Sequence, residues 1–141
     1  MPEINDITGQ VVAAAYQLHT RLGPGLLESV YEAVLAKMLT DRGFSVERQK
    51  PVPLEYDGLH FDEAYRADLL VDGRVLVEVK SVERLAPVCT KQVLTYLQLL
   101  QLPVGLLINF GEASLNHGLR RIFNSRADLV ASADLHSAAR P

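Results

Sequence analysis

The chain has 141 residues, 48% of them hydrophobic and 22% charged, proportions that fit one globular domain with an ordinary core. Lys and Arg number 14 against 17 Asp and Glu, a formal net charge of −3. That balance excludes a protein that coats nucleic acid through a strongly basic surface, but not an enzyme whose own carboxylates hold a cation. A single cysteine, Cys89, excludes an internal disulfide framework and suits a reducing compartment; it reads as a small helix residue rather than a nucleophile. Met1–Asp6 shows no basic segment leading into an apolar run, and no stretch approaches the ~18 apolar residues of a membrane span. The expected location is cytoplasmic, away from membranes.

Ile4, Ile7, Val11, Ala14, Leu18 and Leu22 recur at helical spacing and predict a first amphipathic helix. Gly23-Pro24-Gly25 stops it, because proline lacks the amide proton and glycine frees the backbone. A second helix carries Leu27, Val30, Tyr31, Val34, Leu35 and Met38 on one broad face, and Gly43 stands where a left-handed cap belongs. The period then changes to two. Val46–Leu54 reads as a strand, and Pro51 and Pro53 assign it to a sheet edge. Asp57-Gly58 and Asp72-Gly73 are hairpin signals; between them lies a strand from Leu59 to Val71, and after them another from Arg74 to Lys80.

Helical spacing returns from Val88 to Gln101, where Val93, Leu97 and Leu100 share a face. Pro103 closes that helix, and Val104–Phe110 is the apolar run of a buried strand. The long helical connection makes this strand parallel to the one ending at Lys80. A last short element includes Leu119–Phe123. The expected domain spans residues 1–124, and residues 125–141, rich in alanine and serine, form a frayed or weakly helical tail. The order helix, helix, three-strand meander, helix, strand predicts an α/β sandwich around a mixed sheet.

The segment with the most chemistry runs from Arg66 to Lys80. In its second strand Val75, Val77 and Val79 share one face, while Leu76, Glu78 and Lys80 share the other. Ala67, Leu69 and Val71 form the matching apolar face of the first strand. A strict two-residue Asp-Gly turn would set Asp68 opposite Val77 and separate the charges. Pairing Val71 with Val75, Leu69 with Val77 and Ala67 with Val79 unites both apolar faces, and a slip of one residue would flip every side chain. This register sets Asp68 opposite Glu78 and Arg66 opposite Lys80, and it requires a three-residue loop or a bulge at the turn. Two carboxylates facing each other in a half-buried sheet repel unless a positive charge sits between them. Hard oxygen ligands suit magnesium or manganese, and Lys80 stands where it can orient a water or stabilise phosphorane charge. Taken alone, the short motif reads equally as a surface salt bridge from Glu78 to Arg66 or Lys80.

Glu28 falls just inside the second helix, where glutamate favours the helix dipole. Gln92 and Tyr96 lie one turn apart on the third helix. His19 precedes the Gly-Pro-Gly break, and Arg120 and Arg121 are either phosphate contacts or a solvated pair.

Gly25, Glu28 and Tyr31 spell GxxExxY, and Asp68, Glu78-Val79-Lys80 and Gln92-x-x-x-Tyr96 follow in order. This set resembles the small bacterial GxxExxY family, placed in the PD-(D/E)XK nuclease superfamily closest to its RecB-like branch, over Ile4 to Asn124. Ala67 stands in place of the proline that names the superfamily motif. The resemblance implies the restriction endonuclease-like core: a helix, an antiparallel three-strand meander, a helix and a further strand. It implies Asp68 and Glu78 as ligands of Mg²⁺ or Mn²⁺, Lys80 as the catalytic lysine and Glu28 as a helix-borne carboxylate near the metal. Gln92 and Tyr96 would be active-site or DNA contacts. The expected function is hydrolysis of DNA phosphodiesters by a metal-activated water. The alternatives are a nuclease-fold module that binds nucleic acid or a protein partner with little catalysis, and a hydrolase of another phosphate ester. A homo-oligomer or a protein partner is compatible with this reading.

Overall fold

The computed structural model describes residues 2–125, so the expected tail lies, apart from Ser125, outside the described residues. Helix α1, Ile4–Leu22, begins where the Asp6 carboxylate accepts the Glu3 amide at 3.2 Å. It stops at Gly23, whose φ of 68° lies in the left-handed region. Helix α2, Glu28–Asp41, follows the Gly-Pro-Gly loop, which Tyr31 pins in place: its hydroxyl donates to the Gly23 carbonyl and accepts the Leu26 amide at 3.2 Å. The Tyr31 ring stacks on Phe110. The buried stripe of α2 is Tyr31, Glu32, Leu35, Ala36 and Leu39, with Val34 and Met38 partly buried beside it. Leu27 and Val30, expected on that stripe, are exposed at 73% and 39%; the helix is rotated so that Glu32 turns inward.

Strands β1 (Val46–Tyr56), β2 (Leu59–Val71) and β3 (Val75–Lys80) form the antiparallel meander. Helix α3 (Pro87–Leu100) crosses to β4 (Val104–Asn109), which is parallel to β3. A short helix α4 (Leu115–Gly118) then leads into β5 (Leu119–Phe123), antiparallel to β4. The sheet order is β1-β2-β3-β4-β5, which leaves the proline-bearing β1 at an edge. Both Asp-Gly turns place both residues at positive φ, 49° and 82° at Asp57 and Gly58, 53° and 64° at Asp72 and Gly73.

Helices cover both faces of the sheet. Ile7, Val11, Leu18 and Leu35 pack with Leu69, Val71, Val75, Val77 and Val79 on one side. Val93 and Leu97 of α3 pack with Val52, Ala67, Leu76 and Leu107 on the other. Ala67 is therefore on the face opposite Leu69 and Val71, contrary to the alternation expected from sequence. The cause is local. Gln49, in the middle of β1, has φ 52°, and the β1–β2 ladder passes from Arg48–Leu69 to Lys50–Ala67 without a Gln49–Asp68 pair. Val46 and Val52, which strict alternation would put on one face, are split between the two cores in the same way. The inversion point of both strands is thus Gln49 beside Asp68.

Candidate active site

The β2–β3 ladder pairs Val71 with Val75, Leu70 with Leu76 and Leu69 with Val77, around a three-residue loop at 72–74. The ladder ends at Leu69–Val77, and the next bonds between the strands come from side chains. The Asp68 Oδ2 accepts the Val79 amide at 2.8 Å, and the Glu78 Oε1 accepts the Asp68 amide at 3.4 Å. The other Glu78 oxygen accepts the Tyr65 hydroxyl at 2.8 Å. Glu78 is only 2% exposed. Burial above all, and then the Asp68 carboxylate, push the Glu78 carboxyl up to about 9. No cationic side chain relieves this pair: Arg66 binds Glu63, and Lys80, half-buried at the end of β3, makes no ion pair among the described residues. The surface salt-bridge reading of Glu78 is therefore not realised.

Tyr65 stacks on Tyr96 of α3, with ring centroids 3.6 Å apart and planes 9° from parallel. Burial and then the Glu78 charge push the Tyr65 phenol up, and burial does the same for Tyr96. Tyr65 thus keeps its proton and serves as a fixed donor to Glu78. Tyr96 joins the acid pair through this stack, whereas Gln92, one turn earlier on α3, is exposed. Glu28 is exposed at the start of α2 and lines a cleft of about 660 Å³ with Gly25, Leu26, Ser81, Glu83 and Gly111. Asp68, Glu78, Gln92 and Tyr96 do not line that cleft; it lies past the end of β3, beside the segment that follows Lys80. The buried Asn109 fixes this segment, donating to the Val82 carbonyl at 2.8 Å and accepting the Val82 amide at 3.0 Å. His19 is bound to the Glu112 carbonyl at 2.8 Å, and Arg120 to the carbonyls of His117 and Leu119. Arg121 is exposed.

Sequence reasoning missed Glu32, Gln49 and Tyr65. Glu32 is 6% exposed and lies within the α2 stripe. Its Oε2 accepts from Arg48 at 3.1 and 3.2 Å, and its Oε1 from the Gln49 amide at 2.7 Å. The same amide reaches the Asp68 Oδ1 at 3.4 Å. Burial and the Asp68 charge push the Glu32 carboxyl up, against the pull of Arg48 and Gln49. One signal was present: Glu32 sits between Tyr31 and Leu35, a charge inside an apolar helical stripe.

The donor set suits a hard divalent cation. Among the described residues the two carboxylates meet with only neutral N–H and O–H donors bound to them, and a cation in place of the proton would relieve their repulsion. Among the described residues no group of three or more Asp, Glu, His or Cys is assembled for a metal, so the remaining coordination would fall to water and substrate oxygens, as magnesium commonly accepts.

Fold and site together define an α/β sheet domain whose central hairpin opens onto an acid pair followed by a lysine. A profile of the PD-(D/E)XK nuclease superfamily matches residues 5–122, and the chain belongs to that superfamily. No curated protein and no solved structure matches the chain. Members of the superfamily are generally nucleases that typically use divalent metals, which implies a nucleic-acid substrate. No helix among the described residues is long and apolar enough to cross a membrane.

Proposed function

We propose that the chain is a Mg²⁺- or Mn²⁺-dependent nuclease that hydrolyses DNA phosphodiester bonds, with Asp68 and Glu78 as the metal ligands. One observation carries this reading: Asp68 and Glu78 meet at the open end of the β2–β3 pair, and among the described residues no cationic side chain is paired to either. When bound, a divalent cation supplies water of lowered pKa and neutralises phosphoryl charge. The protein's own groups do the rest. Tyr65 holds one Glu78 oxygen, and the Val79 amide holds one Asp68 oxygen, so the free lone pairs keep a fixed direction. Lys80, two residues beyond Glu78, stabilises the charge that develops on the phosphate in the transition state. Glu28 orients water or substrate from the adjoining cleft, and Gln92 and Tyr96 contact the nucleic acid. The GxxExxY signature and the Gln92–Tyr96 pair support assignment to that family and to the RecB-like branch. A cytoplasmic nuclease domain over residues 1–124 completes the reading.

A second reading, a module that binds nucleic acid or a protein without cutting, draws support from the two-carboxylate set, which gains no third acidic ligand among the described residues. Single-stranded, double-stranded and nicked DNA, incubated with Mn²⁺, Mg²⁺ or chelator, separate the two. The nuclease reading expects metal-dependent cleavage by the wild type and its loss in Asp68→Asn. DNA binding without cleavage under every condition would establish the second reading instead.

A further inference from the structure

We infer that Gln49 is a positioning residue for the Asp68 carboxylate, anchored from behind by Glu32, and this rests on the reading of Asp68 as a metal ligand. Gln49 stands at φ 52°, inside a strand, in a conformation that residues other than glycine, asparagine and aspartate avoid. The β1–β2 ladder omits this residue and its neighbour Asp68 while pairing the residues on either side. A glutamine that only covered a sheet edge would need no such kink. The kink places its amide between two carboxylates, 2.7 Å from Glu32 and 3.4 Å from Asp68. Carboxylates accept and do not donate when ionised, so the NH₂ end of the amide is the end that fits between them.

Glu32 gives the amide a firm base. It is buried on α2, and Arg48 occupies its other oxygen, which leaves Oε1 to Gln49. A continuous line of hydrogen bonds then runs from α2 through Glu32, Gln49 and Asp68 to the Val79 amide of β3. The Asp68 Oδ1 accepts from Gln49 and Oδ2 from the Val79 amide, while the Glu78 carboxyl meets the same group, where a cation would take the place of the shared proton. Without Gln49 the Oδ1 side of the carboxylate loses its amide donor and is held less firmly. Outer partners of this kind typically contribute 10–100-fold in metal affinity.

The test is a calorimetric titration of Mn²⁺ into wild type, Asp68→Asn, Gln49→Gly and Gln49→Glu, with thermal unfolding and single-turnover DNA cleavage measured on the same samples. Glycine removes the side chain and is at ease at positive φ, so Gln49→Gly separates the amide from the backbone constraint; glutamate keeps the shape but replaces the donor by a third carboxylate. Gln49→Gly is expected to weaken Mn²⁺ binding by about 10–100-fold with only a small fall in unfolding temperature, and to slow single-turnover cleavage with little change in DNA affinity. Gln49→Glu should be weaker still if its carboxylate repels Asp68. Wild-type Mn²⁺ affinity in both Gln49 variants, beside its loss in Asp68→Asn, would overturn the positioning role and leave the metal site standing. Unchanged affinity in Asp68→Asn, or no Mn²⁺ binding by the wild type, would overturn the metal site and this inference together.

Discussion

The two ends of the β2–β3 pair are built from the same strands by opposite rules. At the turn end, Val71–Val75, Leu70–Leu76 and Leu69–Val77 form a regular ladder of buried side chains, all but Leu70 in one or other apolar core. One residue further on, at Asp68 and Glu78, the ladder stops and carboxylates take the backbone amides in its place. The apolar end supplies cohesion, and it is what allows the other end to be left open with charge in its interior. Stability and chemistry are separated by a single residue step, so substitutions on either side of that step should have separable effects.

The largest expected effect on stability is at the turn end. Leu69→Ala removes a fully buried side chain from the α1–α2 core and should cost about 2–5 kcal/mol, read by urea denaturation, while cleavage per folded molecule stays near wild type. The open end should respond in the opposite sense. Lys80→Ala should lower single-turnover cleavage by about 10²-fold or more, ~3 kcal/mol of barrier, with DNA affinity reduced far less. If Lys80 were only a strand-end charge, cleavage would be unaffected.

A smaller effect follows from the buried acid. Glu78 is raised from 4.5 to about 9, so between those values the folded protein keeps a proton that the unfolded chain has lost. Metal-free stability should therefore be fully present at low pH and fall as pH rises through this window, by at most about 1.4 kcal/mol per unit. Glu78→Gln should flatten that dependence to what Glu32 contributes, and urea denaturation in chelator at pH 5 to 8 reads the difference. Equal slopes in both proteins would place the titration elsewhere. The smallest effect is expected of Tyr65→Phe, which keeps the stack on Tyr96 but removes the hydroxyl from Glu78, a loss of about 1 kcal/mol in stability.

The contrast between the two ends also explains what was legible in the sequence. The register followed from apolar residues that had to share a core, against a strict two-residue turn at Asp72-Gly73, and the structure has the pairs Val71–Val75 and Leu69–Val77 but no Ala67–Val79 pair. Mixed topology, the parallel β4 and the edge position of β1 were legible for similar reasons, since helix length and proline placement constrain them directly. The face inversion at Gln49 was not. Glutamine carries no signal for positive φ, unlike glycine or asparagine, and so Ala67 was assigned to the wrong core. Glu32 escaped notice because its burial depends on Arg48 and Gln49, which lie 16 and 17 residues away in sequence. The same rotation of α2 that buries Glu32 leaves Val30 exposed, and Leu27 is exposed because it precedes the helix in extended conformation.

The central claim is that Asp68 and Glu78 form a divalent-cation site, and its most direct test is calorimetric titration of Mn²⁺ into the wild type and Glu78→Gln at matched pH, with circular dichroism confirming that both are folded. The account predicts Mn²⁺ binding by the wild type, and at least a tenfold loss, roughly 1.4 kcal/mol, when one ligand oxygen becomes an amide nitrogen. Equal affinity in the two folded proteins would contradict it.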